Sequence, residues 1–291
     1  MSRIKIETEN LTYTYSEGLP GAKTALKNIN LAIEEGEFLG IIGPTGSGKS
    51  TLIQHFNGLL KPTGGRVLVD GEDIWTDRAK LRQFRFRVGL VFQYPEYQLF
   101  EETVEKDISF GPVNMGLSGP EKDERVKNAL KFVGLDEAVL EASPFDLSGG
   151  QKRRVAIAGV LAMDPEVLIL DEPAAGLDPS GRAEILGQIK SYHRERGNTV
   201  IIVSHSMEDI ARYASKVLVI NDGEIFACDT VQEIFKMSDA LEGMGLSIPV
   251  VTKIMLELSR RGFEVDSSAF TAESAVSSIL SLLRGEGSIR C

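Results

Sequence analysis

The run Gly43-Pro44-Thr45-Gly46-Ser47-Gly48-Lys49-Ser50-Thr51 constrains this chain more than any other stretch, because it fits the phosphate-binding pattern G-x-x-x-x-G-K-[ST] at every fixed position. The pattern works only between a strand and a helix, and both are predicted here. Phe38-Leu39-Gly40-Ile41-Ile42 reads as a buried strand, and residues 49–60 read as a helix that Lys61-Pro62 ends. Gly46 and Gly48 can take backbone angles closed to other residues, so several N–H groups can converge on one anion. The positive end of the following helix dipole adds about 0.5–2 kcal/mol for an anion held there. Lys49 then supplies a full charge at the β- and γ-phosphates of a nucleotide, and the Ser50 hydroxyl suits Mg²⁺.

A length of 291 residues accommodates one large α/β domain and a smaller one. The net charge of −10 argues against a broad nucleic-acid footprint, so no nucleic-acid partner is expected. Cys228 and Cys291 are the only cysteines and lack metal-site spacing, which points to a reducing compartment, no disulfide frame and no role for either thiol. No secretory signal pattern is read, and the longest nearly apolar run, residues 155–163, is too short to span a bilayer. Any membrane association is therefore expected to be peripheral.

Ahead of the glycine loop, alternation in Ile4, Ile6 and in Ile29, Leu31, Ile33 predicts paired strands over residues 4–31, joined by a turn around Gly18, Pro20 and Gly21. Tyr13 and Tyr15 lie on the first of these; on spacing alone either could stack on a purine or pack under its neighbours. Downstream, Leu90-Val91-Phe92 reads as a buried strand with Gln93 at its carboxyl end, where ligand sites of open α/β sheets gather. Tyr94-Pro95-Glu96-Tyr97-Gln98-Leu99-Phe100 is unusually aromatic for a loop, either a partner surface or a locally packed cluster. Gly119-Pro120 begins an amphipathic helix that Gly134 stops. Leu147-Ser148-Gly149-Gly150-Gln151 opens another, for which Ser148 is a good N-cap and the exposed N–H groups form a second candidate anion site. Val167-Leu168-Ile169-Leu170 ends in Asp171-Glu172, as a central parallel strand delivering two acids at its edge would. Asp171 is placed to hold Mg²⁺ through water, and Glu172 to orient or deprotonate an attacking water. Residues 199–203 form another buried strand, with Ser204-His205 at the same edge; His55 and His193 fall on predicted helices and read as structural. A hairpin around Asp222-Gly223 follows, and from residue 230 the pattern turns to short helices over 231–236, 250–261 and 272–283. Ile254, Leu258, Val276, Ile279, Leu280 and Leu283 give the last two an apolar face.

Together these residues resemble the ATP-binding cassette (ABC) ATPases over about residues 3–227. The resemblance rests on the glycine loop, Gln93 as the Q-loop glutamine, the signature Leu147-Ser148-Gly149-Gly150-Gln151, Asp171-Glu172, the D-loop ending at Asp178, and His205 as the switch histidine, all in family order. It implies an α/β P-loop core with an antiparallel β subdomain, a helical subdomain at about 94–165, a cassette over 1–229, and a helical appendage over 230–291 with a dimerisation or regulatory role. It also places Tyr15, rather than Tyr13, at the adenine-stacking position. ATP and Mg²⁺ are the implied cofactors, with Ser50, Gln93 and Asp171 toward the metal and Glu172, His205, Lys49 and Gln93 in catalysis. Within that family, the stretch from Phe92 to Phe100 and the helical tail look like the ATPases of energy-coupling factor transporters, which take up vitamins or cobalt and nickel ions. The Gln98-Leu99-Phe100 ending is similar to the second of the two ATPases in heterodimeric members. The implied partners are a second ATPase, identical or not, bound head-to-tail with ATP between the glycine loop of one chain and Ser148–Gln151 of the other, and a transmembrane subunit docked near Gln93–Phe100. A small membrane protein that captures the substrate would act indirectly, and the location would be the cytoplasmic face of the membrane. A conventional ABC importer or exporter ATPase is the alternative. A soluble ABC ATPase of ribosomes or DNA fits less well, because those usually carry two cassettes or an inserted coiled coil, and neither is present.

Overall fold

Alternating apolar residues organise the first layer of the chain, whose computed structural model describes residues 3–266 and 269–284. β1 (Ile4–Tyr15) and β2 (Lys23–Glu34) pair antiparallel, with Ile6 opposite Ile33 and Leu11 opposite Ile29, all four fully buried. β3 (Phe38–Ile42) shows no alternation; every residue is buried, as a strand covered on both faces requires. It feeds the glycine loop and α1 (Lys49–Phe56), which ends four residues before the expected position 60. Asn57 caps it, and Gly58 turns the chain at φ +69°, where a Cβ would lie 2.8 Å from Leu81 Cδ1. β4 (Gly64–Val69) and β5 (Glu72–Asp73) then complete a four-stranded sheet of order β2-β1-β4-β5.

α2 (Leu81–Arg87) leads into β6 (Val88–Val91), and the apolar pattern does not reveal that helix because only Phe84 of its seven residues is buried. Three helices follow: α3 (Val104–Asn114), α4 (Gly119–Phe132) and α5 (Gly149–Leu161). Then come β7 (Val167–Asp171), α6 (Pro179–Arg196), β8 (Thr199–Val203), α7 (Met207–Tyr213), β9 (Lys216–Asn221) and β10 (Glu224–Thr230). The second sheet has the order β10-β9-β3-β8-β7-β6, with β10 antiparallel and the other five parallel. One core joins the two sheets around α1; another lies on the opposite face of the parallel sheet beneath α3–α6. Because the five strands are parallel, their carboxyl ends share one edge, and that edge collects the glycine loop, Gln93, Glu172 and Ser204-His205.

Beyond β10, α8 (Val231–Lys236) seals the main core through Val231, Ile234 and Phe235, followed by α9 (Ser238–Gly243). α10 (Val250–Arg260) and α11 (Ala272–Leu283) meet over a small core of Met255, Ala269 and Ala275, leaving Ile254, Val276, Leu280 and Leu283 exposed. Cys228 is a free, half-buried thiol on β10, whereas Cys291 lies outside the described residues. No helix among the described residues is long and apolar enough to cross a membrane.

Candidate active site

The glycine loop closes on itself around Lys49. The ammonium donates to the carbonyls of Gly43 (2.7 Å) and Pro44 (2.8 Å) and is almost wholly buried. Burial lowers its pKa, and the nearby Glu172 and Asp171 oppose that shift. Such a cation, held by two neutral carbonyls, gains a full opposite charge when a phosphate arrives. Gly48 sits at φ +109°, and a Cβ there would come within 2.6 Å of Ala25 O, so the loop can lie against β2 only with glycine at this position. The Ser47 hydroxyl oxygen is buried with no hydrogen-bond partner, while Thr45, Gly46 and Ser50 are exposed at the loop surface.

Tyr15 and Tyr13, equivalent on sequence spacing, have different surroundings. Tyr15 shares a cavity of about 240 Å³ with Lys23, Ala25, Gly46, Gly48, Lys49, Ser50 and Thr51, and its hydroxyl lies 3.0 Å from Thr51 Oγ1. Tyr13 packs edge-on between Tyr15 and His55, at centroid distances of 4.8 and 4.7 Å. His55 is fully buried, with Nδ1 2.7 Å from Thr51 O, and burial lowers its pKa, so it is a neutral structural ring.

β7 supplies the acidic wall. Burial raises the pKa of Asp171, opposed by the nearby Ser50 hydroxyl and the charge of Lys49. The next residue, Glu172, leaves the strand at φ +51°, a left-handed angle rare for a non-glycine residue, with its N–H held by Val203 O at 3.0 Å. Burial and then the charge of Asp171 push the Glu172 carboxyl up to about 7. Its Oε1 is buried and makes no hydrogen bond; His205 Nε2 approaches to 3.4 Å without hydrogen-bond geometry. Burial and Lys49 lower the His205 pKa, so this exposed imidazole is neutral near neutral pH. A cavity of about 320 Å³ opens beside the pair, lined by Arg182, Ser204 and Asp209 among others. Gln93 stands exposed at the same sheet edge.

Two sequence-identified groups do not join this cluster. Ser148 caps α5 and forms a capping box with Gln151, its Oγ accepting from Gln151 N (3.3 Å) while Gln151 Oε1 accepts from Ser148 N (3.0 Å). None of Ser148, Gly149, Gly150 and Gln151 lines the glycine-loop cavity. Asp178 caps α6, accepting from Gly181 N at 2.7 Å, and also stands outside it.

Residues 26–175, from β2 through the loop after Glu172, match the ABC transporter family model. Over 97% of this chain and 99% of its own length, the energy-coupling factor transporter ATP-binding protein EcfA2 of Clostridium perfringens is 55% identical. The chain belongs to the ABC transporter ATP-binding proteins, in the energy-coupling factor group. The structure of CbiO1 from Clostridium perfringens, described as part of the ABC transporter complex CbiONQ, superposes with a TM-score of 0.75 at 42% identity, covering 89% of this chain and 97% of that one. A dimeric ABC cassette in a post-hydrolysis state, bound to ADP and Pi, superposes with a TM-score of 0.69 at 34% identity, covering 78% and 98%. This ABC ATPase therefore binds and hydrolyses ATP, and its cavity carries residues that sequence reasoning missed. Lys23 reaches it because β2 pairs with β1 in a register that sets Lys23 opposite Tyr15, a placement only the fold reveals. Arg182 flanks Glu172 from the first turn of α6.

Proposed function

We propose that this chain is the ATP-hydrolysing subunit of an energy-coupling factor transporter, driving uptake of a vitamin or transition-metal ion through a separate transmembrane subunit. One observation carries the reading: an apolar groove of about 450 Å³ beside the Q-loop, lined by Leu99, Phe100, Phe110, Val155, Val160 and Met163, on a chain whose described residues hold no membrane-crossing helix. Such a groove fits the apolar side of a short helix from a membrane protein, and Phe100 and Phe110, in edge contact at 5.1 Å, are both exposed at its rim. The chain would then sit peripherally at the cytoplasmic face, and the substrate-capturing membrane protein would reach it only through the transmembrane subunit.

The donor set suits Mg²⁺: a hydroxyl, a buried carboxylate near it, and an amide at the same sheet edge, in Ser50, Asp171 and Gln93. Mg²⁺ bound there would neutralise charge on the β- and γ-phosphates. Tyr15 would stack on the adenine, the N–H groups from Gly43 to Thr51 would cradle the phosphates, and Lys49 would exchange its carbonyl partners for phosphate oxygens. Ionised Glu172 would orient the attacking water and take its proton, and His205 would donate to the γ-phosphate. The α5 N-terminus stands outside this chain's own cavity, so Ser148, Gly149, Gly150 and Gln151 would complete the site of a second ATPase bound head-to-tail, with Asp178 at the seam. Purification from native membranes tests this reading. Co-purification of a transmembrane subunit and a small capture protein supports it; co-sedimentation with ribosomes overturns it.

A further inference from the structure

Arg153 lies two residues beyond the signature on α5, almost wholly buried, and all three of its guanidinium nitrogens are engaged. Nε and Nη2 donate to the two Glu96 carboxylate oxygens at 3.0 and 2.7 Å, a bidentate fork. Nη1 donates to the carbonyl oxygens of Ala175 (2.5 Å) and Pro173 (3.4 Å), and the guanidinium lies 5.9 Å from the Tyr94 ring centroid. Glu96 belongs to the 3-10 turn Pro95–Gln98, directly between Gln93 and the groove-lining Gln98, Leu99 and Phe100. Pro173 and Ala175 belong to the turn that follows Glu172, closed by Ala175 N donating to Glu172 O at 3.1 Å.

We infer that Arg153 is a positioning residue whose planar guanidinium joins the groove wall to the turn presenting Glu172, so that displacement of one is felt at the other. The geometry leaves little slack. A guanidinium is rigid, so rotating it to follow Glu96 swings Nη1 away from the two carbonyls. Those carbonyls belong to a turn in which Glu172 already holds a left-handed angle, and a residue held so persists only when its surroundings fix it. Arg153 lines neither the glycine-loop cavity nor the cavity beside Glu172; it acts through the aim of Glu172. The transmission from groove to carboxylate rests on the groove being the docking site proposed above, whereas the hold on Glu172 does not.

The test uses the transporter complex purified with its membrane partners, comparing wild type with Arg153→Met, Arg153→Lys, Glu96→Gln and the double variant Glu96→Gln/Arg153→Met. Arg153→Met is expected to lower kcat by about a hundredfold with KM and fluorescent-nucleotide affinity within about twofold of wild type, the signature of a misaimed catalytic group. Arg153→Lys, which keeps the charge but not the fork, recovers part of the loss. Glu96→Gln lowers kcat less, and the double variant is no worse than Arg153→Met alone, because the two residues act as a unit. An unchanged kcat in Arg153→Met, or kcat and nucleotide affinity falling together, overturns the inference; multiplicative losses in the double variant overturn the link to the loop. Should Arg153→Met fail to assemble, Glu96→Gln decides, and wild-type kcat in that variant overturns the proposal. If Phe100→Ala and Tyr97→Ala retain the membrane partner while Arg153→Met loses kcat, the groove reading falls and the hold on Glu172 stands.

Discussion

Glu172 holds its proton to higher pH than a carboxyl in water, because burial and the Asp171 charge push it up to about 7. A base must be ionised to accept a proton, so kcat/KM of the assembled transporter, which reports the nucleotide-free site, should rise with pH through about 7, and a pH–rate profile checks this. Glu172→Gln should retain ATP binding and lose hydrolysis by ~10²–10⁴, abolishing that limb. The same shift has an opposite signature in folding. Below about 4.5 the carboxyl is protonated in both folded and unfolded chains, so Gln and Glu are equivalent there. As pH rises from about 4.5 to about 7, only the unfolded chain gives up its proton, and wild type loses stability relative to the variant. Nucleotide-free Glu172→Gln should therefore be the more stable protein at pH 8, by about 1–2 kcal/mol after discounting for solvent screening, with no difference near pH 4. Thermal melts at the two pH values decide it. The position of the proposed base was legible in Val167-Leu168-Ile169-Leu170-Asp171-Glu172, since a buried parallel strand presents its polar residues at the ligand edge. Its left-handed angle and Arg153 beneath it were not, because both arise from packing between segments distant in sequence.

At the scale of elements, the loop from Gln93 to Phe100 divides into two kinds of side chain that its aromatic composition conceals. Leu99 is buried in the core beneath α3–α5, whereas Tyr97 and Phe100 are exposed. Leu99→Ala should cost about 2–4 kcal/mol of stability by leaving a cavity, while Tyr97→Ala should change stability by no more than about 0.5 kcal/mol. Tyr97→Ala and Phe100→Ala should nonetheless loosen the membrane partner with ATP affinity unchanged, which denaturant melts, co-purification and nucleotide titration separate. Leu99 thus belongs to a packed cluster, while Tyr97 and Phe100 are exposed, as the proposed partner surface requires. Strands β3, β7 and β8 were legible because each is five consecutive residues buried on both faces, and α4 and α5 because proline, serine and glycine punctuate their ends. α3 was not, since Gly111 and Pro112 interrupt its pattern; yet Gly111 is what lets it approach α5 and the residues after it, where a Cβ would meet Met163 Cγ at 2.6 Å. Likewise Lys5, nearly wholly buried, reads as a misplaced charge on β1 until the fold brings Asp70 to 3.0 Å and Glu166 beside it, with Arg87 pairing both acids. That network fastens the antiparallel sheet to the base of β7, and no local pattern encodes it.

The whole molecule holds two glycine-headed helix starts, and only one of them borders the glycine-loop cavity. α1 closes this chain's cavity, while the α5 start, with its capping box already satisfied, faces none of the residues that line it. A nucleotide has one γ-phosphate, so two nests per chain are best used if each contributes to a separate site shared with another subunit. In a head-to-tail pair, every site takes Lys49 or its counterpart from one chain and Ser148 or its counterpart from the other. The placement of defects then matters more than their number. Lys49→Ala and Ser148→Arg both on this chain should disable two sites, because the first spoils its own cavity and the second spoils the partner's. Lys49→Ala on this chain with the signature serine of the partner subunit replaced should spoil one site twice and leave the other complete. The second arrangement should retain roughly half the wild-type single-turnover hydrolysis, and the first should fall to background, since removing a contact that acts only with its site partner is non-additive. The reverse order, about half activity for the first arrangement and background for the second, would mean that each chain completes its own site. The comparison works whether the partner is a second copy or a different ATPase, because head-to-tail and self-contained sites rank the two placements in opposite order.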